Sequence, residues 1–252
     1  RQLPRAIAPF RRRTRPTTPT GSWVFLFRTS PPTLTITPNR RMTHQILRAE
    51  FLKLLTHRLE SYGFAYKQRL HRYIKEEGEI TQIFQVIFLN DPDGFRVFAD
   101  AGIRIESVEN VFHRTSGFVG KRLQNDTATL GASLGSIADT GNKLQFDLKS
   151  EGDVVSASTD MLDAFEQIAL PVFRQFASLE AVDEVVNSNP NEFCVFRQLD
   201  WFRCSTGTIV ARMVGRENYD SLVELYSNRM KRDNAGFYWK WYSALLQSLK
   251  TL

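Results

Sequence analysis

FAYKQRLHRYIK (residues 64–75), ITQIFQVIFL (80–89) and FRVFADAGIRI (95–105) follow one another with only EEGE (76–79) and NDPDG (90–94) between them. Aromatic and β-branched residues crowd the second run, apolar and polar positions alternate in the others, and the connectors carry the Gly, Pro, Asn and Asp that tight turns demand. The spacing predicts three antiparallel strands in a meander. Ahead of them Ile46, Leu47, Phe51, Leu54, Leu55 and Leu59 recur at helical intervals between charged residues, and Gly63 closes that helix.

After the meander the pattern is lost from 108 to 126, where residues 113–120 read as an exposed loop with two glycines. Residues 127–137 and 143–148 alternate again, which brings the count to five strands. A helix is predicted over 159–177, with Met161, Phe165, Ile168, Val172 and Phe176 on one stripe and a kink at Pro171. Helices are also predicted over 179–187, 207–214, 219–232 and 237–249. Strands come first and helices last. That order selects an α+β fold, an antiparallel meander sheet of about five strands packed by helices, with residues 42–178 as the domain and 179–252 as a C-terminal helical extension packed on it.

Charge divides the chain at Met42. Residues 1–41 hold nine arginines, no lysine, no acid and seven of the ten prolines, so this arm is expected to be disordered or loosely extended. Of the 33 basic residues 24 remain after it against 27 acidic ones, a net of −3, so the basic balance of the chain belongs to the arm. Sequence translated or cloned ahead of a natural start at Met42 is the favoured origin. An organellar transit peptide and a nucleic-acid tether built on Arg11, Arg12, Arg13 and Arg15 are the alternatives. Nucleic acid is expected to engage the arm or nothing. The apolar run Trp23 to Phe27 is too short for a secretory signal, no segment has transmembrane length, and a cytoplasmic setting is the expectation.

The opening helix ending in Leu59, Glu60, Ser61, Tyr62, Gly63 and Phe64, followed by strands with Phe84, Gln85 and Val86 and then Phe95, Val97, Ala99 and Gly102, resembles the bacterial family called domain of unknown function 4304. The resemblance covers residues 42–177, and the tail, including residues 208–226, is similar to a helical extension that some members carry. It implies an α+β fold in a soluble bacterial protein with no assigned reaction, and it carries no catalytic motif to any residue.

Searching the residues for chemistry excludes several classes. His44, His57, His71 and His113 stand apart, with no HExxH and no Cys at metal-ligand spacing, so no metal or cofactor is expected. Cys194 and Cys204 are too few for a disulfide framework and are expected as buried thiols. Gly117 to Lys121 lacks the spacing and hydroxyl of a phosphate loop, and Gly131 with Gly135 lies in an alternating run, where glycine marks bulges or close packing. No carboxylate pair in the acidic stretch 150–192 has the context for acid/base catalysis.

Two features stand out. Lys67, Arg69, His71, Tyr73 and Lys75 alternate and are expected on one sheet face with Arg96 and Arg104, a surface able to take a small anion through Lys67, Arg69, His71, Arg96 and Arg104. Residues 150–192 hold nine carboxylates against one base, Arg174, and Asp160, Asp163, Glu166, Asp183 and Glu184 are expected to form an acidic surface for a basic protein partner. The terminal aromatics Phe237, Tyr238, Trp239, Trp241 and Tyr242 are expected to pack, with Trp239 the one pointing elsewhere. The reading favoured from sequence is a non-catalytic protein-interaction module, in its sharpest form an immunity-like inhibitor using the acidic surface. An enzyme or sensor binding a small anionic ligand on the basic sheet face is its rival.

Overall fold

The computed structural model describes residues 38–117, 119–139, 144–232 and 236–252, with side chains from residue 44. The expected arm lies outside the described residues as far as residue 37. Helix α1 spans Pro38–Glu60 and so begins four residues ahead of Met42. Leu47, Phe51, Leu55 and Leu59, each four residues from the next, form its fully buried line, while Ile46 and Leu54 are exposed. Gly63 at φ 84° ends the helix, with Phe64 N–H donating to Leu59 O at 3.2 Å, a closure that needs the left-handed conformation glycine adopts freely.

Strands β1 (Ala65–Lys67), β2 (Arg72–Glu77), β3 (Ile80–Asp91) and β4 (Gly94–Ile105) form the antiparallel meander. The far edge of β4 is filled by β5 (Leu130–Ser133) along 100–103 and by β6 (Phe146–Leu148) along 95–97. The single strand expected over 64–75 is corrected. A 3-10 turn at Gln68–Leu70, closed by His71 at φ 49°, folds it into a hairpin in which Lys67 faces Arg72. The expected strand over 127–137 is likewise shorter, because Ser133 caps a helical turn α4 (Leu134–Ile137) through its hydroxyl, which accepts from Ser136 N–H.

The stretch 108–126, in which no element was expected and 113–120 was expected as an exposed loop, is corrected: it holds most of helix α2 (Glu106–Thr115) and the short α3 (Lys121–Gln124). Helix α5 (Glu151–Ala164) opens with a capping box between Ser150 and Asp153. The kink expected at Pro171 takes the form of a π-helical turn at Phe165–Ala169 ahead of α6 (Leu170–Gln175). Proline lacks the N–H of a regular helix and crowds the carbonyl one turn back, and a widened turn relieves both. Helices α7 (Leu179–Asn187), α8 (Asp200–Met213), α9 (Tyr219–Arg232) and α10 (Trp239–Ser248) complete the chain.

The fold is the α+β class read from the sequence. Tyr73, Phe84, Val86 and alternate β4 residues from Phe95 to Ile103 turn to the inner face, where α1 and α5 cover them; Phe165 meets Phe64 and Phe84 edge-on at 5.3 and 5.0 Å. Helix α8 is the core of the C-terminal group, buried from Arg203 to Ala211, with α7, α9 and α2 around it. Cys194 and Cys204 are buried and form no disulfide, as expected.

Candidate functional site

Register sorts the outer face of the sheet into rows. Lys67, Arg72, Gln85, Asp100 and Ser133 lie side by side across five strands. The next row is Ala65, Ile74, Ile83, Gly102 and Gly131, and the third is Glu76, Thr81 and Arg104. Gly102 lets the chain after α3 lie close on the sheet, since a Cβ there would meet Leu130 O at 3.1 Å and the Ala128 methyl at 3.4 Å. Between that segment and the 3-10 turn runs a cleft of about 800 Å³ with Ile74 and Ile83 among its lining, within the size range of small-molecule sites.

Two buried arginines shape it. Arg72 is 6% exposed and donates from Nε to Gln85 at 3.0 Å and from Nη1 to Asp126 O at 2.8 Å. Arg104 is 7% exposed and donates from Nε to Glu106 at 2.8 Å and from Nη1 to Gln124 O at 2.9 Å and Thr127 O at 3.0 Å. Neighbouring carbonyls of one segment thus grip both guanidiniums, and Nη2 of each has no protein partner among the described residues. Lys67 and Arg69 also line the cleft, the latter paired with Asp126 at 3.1 Å. Asp100, next to Gln85 in the Arg72 row, has its carboxyl pushed up to about 7 by burial against the opposing pull of Arg72, and its Oδ1 is unpartnered.

The wall of the cleft is held from behind by Glu109 on α2, 1% exposed. Thr127 and Thr129 hydroxyls donate to its two oxygens at 2.5 and 2.9 Å, His113 Nε2 stands at 3.4 Å, and Arg104 and Arg197 each approach within 3.8 Å. Burial alone would raise the Glu109 carboxyl, but His113, Arg197 and the two threonines outweigh it and hold the group below its ordinary value. Arg197 also donates to Ala128 O at 2.5 Å, tying the segment to the connection ahead of α8.

On the inner side of β1 a recess of about 520 Å³ separates α1 from the 3-10 turn. Arg48 Nη2 donates to His71 Nε2, and His71 Nδ1 lies 2.6 Å from the Tyr66 hydroxyl. Burial, and then Arg48, lower the His71 imidazole below its ordinary value. An acceptor for a guanidinium must be the neutral ring, so the bond and the shift agree.

The expected basic face is therefore divided. Lys67, Arg69 and Arg104 share the outer cleft, His71 lies in the recess, and Arg96 is at the other end of β4, paired with Asp91 at 2.9 Å. Tyr73 and Lys75 belong to the inner side, because the turn before β2 resets which residues point outward. Arg72, which alternation from Lys67 assigned to the wrong side, is central; the turn-forming Gln68 to His71 segment carries no Gly or Pro to announce it. Glu109 was missed as well, although Val108, Val111 and Phe112 with acids in the first turn form a short helical signal.

The acidic surface also breaks up. Asp160, Asp163 and Glu166 are exposed along α5 and the π turn, Glu184 is exposed on α7, and Asp183 is a correction. It is 5% exposed and bonded to Arg216 and Asn187, so it faces no partner. Trp239 is half-buried over Lys231 and Tyr242, and Phe237 is the exposed terminal aromatic. Among the described residues no group of three His, Cys, Asp or Glu side chains is placed to hold a metal ion, and no helix is long and apolar enough to cross a membrane. Comparison of the chain with protein-family models, curated proteins and solved structures finds no match.

Proposed function

We propose that the protein is a non-catalytic binding module that takes an anionic group, a phosphate or a carboxylate, in the outer cleft. One observation carries this reading: Lys67 and the buried Arg72 stand directly opposite each other on neighbouring strands. Like charges so placed repel, a loss of stability that an arriving anion reverses. The protein acceptors on Nε and Nη1 pre-orient Arg72, so little side-chain freedom is lost on binding.

Titration of the full chain with inorganic phosphate and with acetate, followed by NMR shifts, tests it. Saturable binding is expected, weakened by Arg72→Gln and unchanged by Arg96→Gln; Lys67→Gln, at an exposed position, serves if the Arg72 variant does not fold. Equal effects of the Lys67 and Arg96 changes refute the reading. A protein-interaction role of the immunity-like kind is the second reading, favoured by the exposed Asp160, Asp163 and Glu166 on one helical run with Val155, itself 64% exposed.

A further inference from the structure

We infer that the ligand of the outer cleft is dipolar: an anionic group at Lys67 and Arg72, an apolar spacer over Ile74 and Ile83, and a cationic group at Glu76 and Glu79. The inference rests on the anion reading above and adds the chemical class of the ligand.

The cleft contains four bases, Lys67, Arg69, Arg72 and Arg104, and four carboxylates, Glu76, Glu79, Glu106 and Asp126, so its charges balance and their placement decides which part of a ligand goes where. Two pairs cancel locally, Arg69 with Asp126 and Arg104 with Glu106, and Asp126 with the neighbouring Asp100 offsets part of the charge on Arg72. What remains is ordered. Lys67 and Arg72 stand at one end; Glu76 and Glu79, which have no ion-pair partner among the described residues, stand at the other, where β2 turns into β3. Successive outward residues of β2 are Arg72, Ile74 and Glu76, and Ile83 lies opposite Ile74 on β3. At about 3.4 Å per residue the charged ends are about 14 Å apart along the strand, with the apolar pair midway. That separation exceeds the Debye length of about 8 Å at physiological salt, so each end acts on the nearest part of a ligand and neither cancels the other. An anion with a bare hydrocarbon tail satisfies one end. A molecule with an ammonium at the far end of the tail satisfies both.

The test uses the full chain and three matched series of increasing chain length: straight-chain alkanoates, alkylammonium ions, and terminal amino alkanoates from aminobutanoate to aminodecanoate, followed by NMR shifts or calorimetry. The amino alkanoates are expected to bind about fivefold tighter than alkanoates of the same length, the gain of one exposed ion pair, with an optimum length rather than a steady rise. In the doubly substituted Glu76→Gln, Glu79→Gln chain, both positions being exposed, the ratio of the two affinities is expected to fall to about one. Alkanoates binding as tightly as amino alkanoates at every length, or an unchanged ratio in the double variant, overturns the dipolar class and leaves the anion site standing. Absence of saturable binding by any carboxylate or phosphate overturns both.

Discussion

Replacement of Glu109 by alanine is expected to cost about 4 kcal/mol, because removing one member of a buried ionic cluster leaves its partners charged and dry. The carboxylate is 1% exposed and accepts two hydroxyl bonds, from Thr127 at 2.5 Å and Thr129 at 2.9 Å. Bonds of this kind to a charged group are worth about 1.5–3 kcal/mol each, and Arg104 keeps Glu106, so Arg197 is the cation left without a counter-charge. For a domain of this size the loss lowers Tm by about 8–16 °C. Ionised Glu109 is the form the fold prefers, since its folded pKa is depressed; its contribution is present above the unfolded value of 4.5 and is lost as pH falls through the lower folded value. Urea unfolding of both chains, followed by tryptophan fluorescence, should therefore show a wide gap at pH 7 that narrows as pH falls below 4.5. A cost under about 1 kcal/mol at pH 7, the scale of an exposed ion pair, refutes the view that this cluster holds the cleft wall.

Two other substitutions probe separate parts of the structure. Asp100 has a folded value near 7 against 3.8 unfolded, so its charge opposes folding increasingly as pH rises between those values. Asp100→Asn should stabilise the protein at pH 8, by at most about 4 kcal/mol, and much less at pH 4; an equal effect in denaturant titrations at both pH values contradicts this. At Gly207 a methyl would stand 2.8 Å from the ring of Tyr226 and would collide with Asn187 Oδ1, two buried groups bonded to each other at 2.7 Å. Gly207→Ala should lower stability by about 2 kcal/mol instead of gaining the usual helical increment of about 1 kcal/mol, and a raised Tm in a thermal melt would contradict the packing.

How much was legible follows from the range of each determinant. The turns at 76–79 and 90–94 and the i, i+4 line Leu47, Phe51, Leu55, Leu59 are local signals, and the sheet and α1 appear where they predict. Asp183 and Asp160 look alike in sequence, yet one is sealed against Arg216 from the connection between α8 and α9 and the other faces solvent. The Glu109 cluster joins side chains from residue 104 to residue 197, a span no periodicity can bridge.

The sequence by itself determined the class of the fold, because alternation, helical spacing and turn chemistry act within a few residues and admit little but helices laid on an antiparallel meander. Only the tertiary structure decided which charges meet. Side-chain direction along a strand depends on pairing register, and the unannounced 3-10 turn at Gln68–Leu70 moved that register so that Arg72, rather than His71, stands beside Lys67 over the cleft.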